Sequence, residues 1–105
     1  MTDQGSILTA LADPTRRAIF ERVARRPGAV GELAQEFPVS RPAVSQHLKV
    51  LRDAGLVRQD SVGTRRIYSV DLTGLAVVRE YFEQFWQMSL GAFREAANRS
   101  HKEET

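Results

Sequence analysis

Thirteen consecutive residues, Ser40 to Arg52, carry no acid in a chain that holds 13 Asp and Glu. Val44, Leu48 and Leu51 recur at spacings of four and three, which is one face of a helix. The opposite face then presents Arg41, Pro42, Ser45, Gln46 and Lys49. These side chains suit the edges of nucleic-acid bases. Gln46 can pair bidentately with adenine, Arg41 with guanine or a phosphate, and Ser45 with either. Lys49 lies one turn further on and is placed for phosphate. Ser40 can cap the N-terminal end of the helix, where the helix dipole favours an anion. The competing reading is a polar helix face that meets only solvent.

A second cluster, Val62-Gly63-Thr64-Arg65-Arg66, reads as the tip of a β-hairpin. Gly63 allows a tight turn that approaches another backbone closely. Arg65 and Arg66 can enter a narrow minor groove or clamp phosphates; alternatively they only keep an edge strand soluble. Residues 40–66 hold six basic and two acidic side chains, while 1–39 are balanced and 67–105 are net acidic. A polyanion such as double-stranded DNA is a partner that suits such a block, the alternative being a basic face that meets only solvent.

Other chemistries find little support. With no Cys there is no disulfide, thiolate metal site or cysteine nucleophile. The two histidines, His47 and His101, are far apart, and neither has a carboxylate cluster at ligand spacing. There is no Gly-rich phosphate loop. No catalytic residue, metal or cofactor is therefore expected. His47 is expected to pack beside Leu48 and Leu51 and to hydrogen-bond a neighbouring helix. The N-terminus lacks the pattern of a signal peptide and no apolar run approaches a membrane span, so a cytoplasmic protein without membrane contact is expected.

The elements that must position these residues follow from local signals. Ser6 can cap a short helix through Leu11. Asp13-Pro14 reads as N-cap and first helical residue of a second helix, to about Arg26, with Ala18, Ile19 and Val23 inward. Pro27-Gly28 ends it. A third helix covers about Val30 to Glu36, with Val30, Leu33, Ala34 and Phe37 inward, and Pro38 stops it. The fourth starts at the Ser40 cap with Pro42 in its first turn and ends at Gly55 as C′. Residues 56–61 and 66–70 are strand-like around Gly63-Thr64. A last helix runs from Leu72 to about Ala97, and residues 98–105 form a frayed tail. The expected fold class is mainly α with a small β-hairpin, a single winged helix-turn-helix domain over 1–105.

The last helix would be about 39 Å long at 1.5 Å per residue, against a radius of gyration of about 13 Å for a compact domain of this size. Yet Tyr81, Phe82, Phe85, Trp86 and Phe93 keep it apolar on more than one side. A second copy is expected to cover them, giving a homodimer through the terminal helices. The interface candidates are Ile7, Leu8, Leu11, Tyr81, Phe82, Phe85, Trp86, Ser89 and Phe93. Two alternatives are an intramolecular core with a few exposed aromatics, or a cavity for a small apolar ligand.

The string SRPAVSQHLKVLRDAGLV, residues 40–57, closely resembles the recognition helix and following strand of the ArsR/SmtB family of bacterial winged-helix repressors. The resemblance extends over about residues 6–97, through LADPTRRAIFERV (11–23), VGELAQEFPVS (30–40), GTRRIYSV (63–70) and the last helix. It implies a homodimer that binds a two-fold-symmetric operator, often at its own promoter, and leaves it when an inducer binds. The family's thiolate sensors carry Cys at positions matching Ala29 and Gly31, and its other metal site uses His and carboxylates of the last helix, which here would have no His. The chain is thus more similar to the metal-independent members, with the inducer unspecified and a small apolar ligand one candidate. The expected function is sequence-specific transcriptional regulation, as a repressor on an inverted repeat; the alternatives are an activator or dual regulator, or a winged-helix module that binds protein.

Overall fold

The computed structural model describes residues 3–103. The elements are α1 (Gln4–Ala12), α2 (Pro14–Arg25), β1 (Gly28–Ala29), α3 (Val30–Glu36), α4 (Arg41–Asp53), β2 (Val57–Val62), β3 (Arg65–Val70) and α5 (Leu72–Glu103).

Helix starts are set by side-chain caps. Asp13 Oδ1 accepts from the Arg16 amide at 2.9 Å with Pro14 at N1, and Ser40 Oγ accepts from the Ala43 amide at 3.2 Å. The first helix differs from expectation. Its cap is Asp3, whose Oδ1 accepts from the Ser6 amide at 2.8 Å, so Ser6 lies inside the first turn. A carboxylate there meets the positive end of the helix dipole as well as the free amide, which a hydroxyl does not.

Gly55, at φ +82°, ends α4. Leu56 N–H bonds to the Leu51 carbonyl and Gly55 N–H to that of Arg52, each at 2.9 Å. These two bonds make a full Schellman motif at the C-terminus of α4. They turn the chain straight into β2, and the start of α5 then packs on the same corner. A Cβ at Gly74 would overlap the Gly55 carbonyl oxygen.

β2 and β3 form the expected antiparallel hairpin, with Val57 opposite Val70 and Val62 opposite Arg65. Gly63 takes φ +65° in the turn. The sheet has a third strand, β1, paired antiparallel to β3 with Gly28 opposite Tyr68, so the order is β1-β3-β2. Two residues are too short to show a period of two, and β1 exists because β3 offers it an edge.

The core joins Ile7, Ile19, Val23, Leu33, Val44, Leu48, Leu51, Leu56, Val57 and Tyr68. Ile7 is 0% exposed and packs inside its own protomer. It is a core residue, which corrects its placement at an interface between copies. Leu8 and Leu11 are half-buried. Arg22, only 5% exposed, holds α2 to the end of α3: its Nε donates to both Glu36 oxygens, at 2.8 and 3.1 Å, and its Nη1 donates to the Arg26 carbonyl.

α5 does not stop near Ala97. It continues through Glu103 and includes His101, so the expected end near Ala97 and the expected lack of a helical His are both corrected, while residues 104–105 of the expected tail lie outside the described residues. No Gly or Pro interrupts Asn98–Lys102, and Arg and Lys there are good helix formers. At 32 residues the helix gives the molecule a long axis of 71 Å. Only its first turns reach the core, through Gly74, Val77 and Val78. Phe82, Phe85, Trp86, Met88 and Phe93 remain exposed.

Candidate nucleic-acid interface

α4 buries Val44, Leu48 and Leu51 completely. That packing turns Arg41, Pro42, Ser45, Gln46 and Lys49 outward, and all five are exposed, as is the cap residue Ser40. At the other side of the site, the hairpin exposes Gly63, Thr64, Arg65 and Arg66. Between them lies a groove of about 830 Å³, floored by α3. Arg41, Ser45, Thr64, Arg65 and Arg66 converge on this groove. Gln46 and Lys49 do not line it and sit further along the open face of α4. Lys49 Nζ pairs with Asp53 Oδ2 at 3.2 Å, an exposed i,i+4 pair of the kind that contributes little.

Four interactions in and around the site were not shown by spacing. Arg65 forms an ion pair with Glu32 in the first turn of α3, 33 positions earlier in the chain. Arg52 Nη1 donates to Gln59 Oε1 at 2.8 Å, and Gln59 Nε2 donates to the Tyr68 hydroxyl at 3.0 Å. This chain of bonds joins α4 to β2 and β3, and so couples the angle of the wing to the helix. Arg58 binds Asp60 through two bonds of 3.0 and 3.2 Å, which raises the guanidinium pKa above its ordinary value. The Gln59–Tyr68 contact depends on the register between β2 and β3, and nothing local marks Glu32.

His47 departs from its expectation. The ring is half-buried, but Nδ1 is buried with no hydrogen-bond partner. The neighbouring carboxylate of Asp13 is directed to the Arg16 amide that it caps. That bond, helped by the charge of Arg16, holds the Asp13 carboxyl below its ordinary pKa. Among the described residues no group of three or more His, Cys, Asp or Glu could hold a metal ion, and no helix is long and apolar enough to cross a membrane.

Residues 11–60 match the helix-turn-helix domain family. Over 84 residues the chain is 60% identical to the HTH-type transcriptional regulator Rv2034 of Mycobacterium tuberculosis, spanning 80% of this chain and 78% of that protein. It is 41% identical to the HTH-type transcriptional repressor SmtB of the same organism, over 61% of this chain and 47% of that protein. Its structure is similar to that of the ArsR-like transcriptional regulator from Rhodococcus sp. RHA1, with TM-score 0.74, 31% identity, and coverage of 89% of this chain and 91% of that one. The chain belongs to the ArsR/SmtB family.

As an ArsR/SmtB regulator it is a DNA-binding transcription factor with a winged helix-turn-helix fold. In that fold α3 and α4 are the helix-turn-helix and β2–β3 is the wing. Two short helices packed through Leu33 and Val44 leave the outer face of α4 free to enter a groove.

Proposed function

We propose that this regulator is a homodimeric repressor that binds an inverted-repeat operator through α4 and the wing. The observation that carries the reading is convergence: an acid-free helix face and two wing arginines border one groove. Arg41, Ser45 and Gln46 read base edges, with Pro42 shaping the first turn that carries them. Ser40 and the amides it leaves at the helix start, Lys49, Gly63, Thr64, Arg65 and Arg66 hold the backbone.

The homodimer reading rests on α5. Phe82, Phe85, Trp86 and Phe93 are too exposed for a protomer alone, and Tyr81 and Ser89 share that helix with them. Tyr81 meets Phe85 edge-on at 4.9 Å between ring centres, so the aromatic surface is pre-ordered. Leu8 and Leu11 are half-buried on α1, which packs against α5, and extend the proposed interface from that helix. Two protomers joined in this way can place their α4 helices in successive major grooves about 34 Å apart. Repression is supported by the relative named a transcriptional repressor. This domain works in the cytoplasm on chromosomal DNA, without a catalytic role and without a cofactor. Its release follows an inducer other than a metal ion, for which the aromatic surface of α5 makes a small apolar molecule a candidate.

The test is a titration of labelled duplexes tiled across the region upstream of its gene. One tile should bind at least about 10³-fold tighter than random DNA, with two protomers per site by sedimentation. Equal affinity for every duplex, or saturation by one protomer, would overturn the reading.

A further inference from the structure

Glu32 is the acid that lines the groove, beside three arginines, among the described residues. It sits in the first turn of α3, and the wing residue Arg65 closes on it from the opposite wall. Arg41 leans over the same turn: a Cβ at Gly31 would meet its guanidinium at 4.0 Å. One cation of the wing is therefore paired with this carboxylate, and a second arginine stands beside the same helix turn, in the space a DNA backbone would enter.

A carboxylate and a phosphate engage the same guanidinium donors in the same geometry. Arg65 cannot give its full fork to both. We propose that Glu32 is an intramolecular counter-ion for the wing, which a DNA phosphate must displace before Arg65 can bind it. The inference rests on the reading that the wing contacts DNA. It adds that the free protein holds Arg65 in an occupied state. The pair is weak enough to open: its side chains are 57% and 48% exposed, so solvent screens it. It keeps the wing folded toward α3 and lowers affinity for any duplex that does not bring a phosphate close. Simple repulsion between Glu32 and DNA would also lower affinity, but repulsion does not depend on Arg65. Displacement does.

The experiment is a four-variant cycle of wild type, Glu32→Gln, Arg65→Ala and the double variant. The probe is a labelled random-sequence duplex of about 30 base pairs, because phosphate contacts are independent of sequence. Affinity is measured over a range of salt. Glu32→Gln should tighten binding about two- to five-fold in wild type and have no more than a marginal effect in the Arg65→Ala background. An equal gain in both backgrounds would show Glu32 to be a repelling charge only and overturn the proposal. Weaker binding by Glu32→Gln would do the same, since it would make Glu32 an aid to the wing. The underlying reading is tested separately by Arg65→Ala alone: it should weaken binding and flatten the salt dependence by about one unit. If neither changes, the wing reading itself fails, whatever Glu32 does.

Discussion

Gln59 and Tyr68 face each other across the hairpin, and the Gln59 amide donates to the Tyr68 hydroxyl at 3.0 Å. Tyr68 is 7% exposed, so its hydroxyl has little access to other partners. The opposite end of the same amide takes a bond from Arg52 of α4. Tyr68→Phe should cost about 0.5–1.5 kcal/mol in urea unfolding. Gln59→Leu should cost a similar amount, and combining the two should cost less than their sum, since they remove one interaction. Full additivity would show that the bond does not contribute.

Gln46 stands on the exposed face of α4, outside the groove lined by the arginines. If it reads a base, Gln46→Ala should weaken operator binding by about 1–3 kcal/mol and leave random DNA nearly unchanged. An equal loss on both would reduce Gln46 to a backbone contact.

Phe85 and Trp86 are 45% and 62% exposed in the protomer. Replacing both with Ala should therefore leave the fold intact and remove the dimer. Sedimentation should show a folded monomer that binds a half-site weakly and gains nothing from the second half-site. A stable dimer would place the interface elsewhere.

Gly74 packs directly beneath the Gly55 carbonyl. Gly74→Ala forces two backbones apart at the corner where α4, β2 and α5 meet. The loss of stability should be about 1–3 kcal/mol, as for other overpacked sites, and thermal melting will show it. No shift in melting would mean that the start of α5 is free to move.

Asp3 and Asp13 both have carboxyl pKa values below the ordinary one, chiefly through the amides of Ser6 and Arg16 that they cap. A lowered folded-state pKa contributes stability above the unfolded value, lost as pH falls through the folded value. Stability should thus decline as pH falls below the ordinary carboxyl range. Asp13→Asn keeps an oxygen for the cap but does not titrate. Its urea midpoint should fall less steeply with acid than that of wild type; parallel curves would exclude Asp13 as a source.

Local chemistry was enough for much of this protein. The i,i+3,i+4 spacing of Val44, Leu48 and Leu51, the caps Asp13 and Ser40, and the turns at Gly55 and Gly63 each involve residues within a few positions of one another. Their geometry follows from backbone sterics and short-range hydrogen bonds, which a sequence carries directly. From them came the helix-turn-helix, the wing and the outward residues of α4. The tertiary structure decided what depends on distant neighbours. Ile7 and Leu8 are adjacent and equally apolar, but only packing against the other helices makes Ile7 wholly core. Gly28-Ala29 is a strand because β3 lies beside it. Arg22 meets Glu36 and Glu32 meets Arg65 only after the elements carrying them have docked. Strand pairing and charge pairing between distant elements belong to the assembled fold, and no spacing along the chain encodes them.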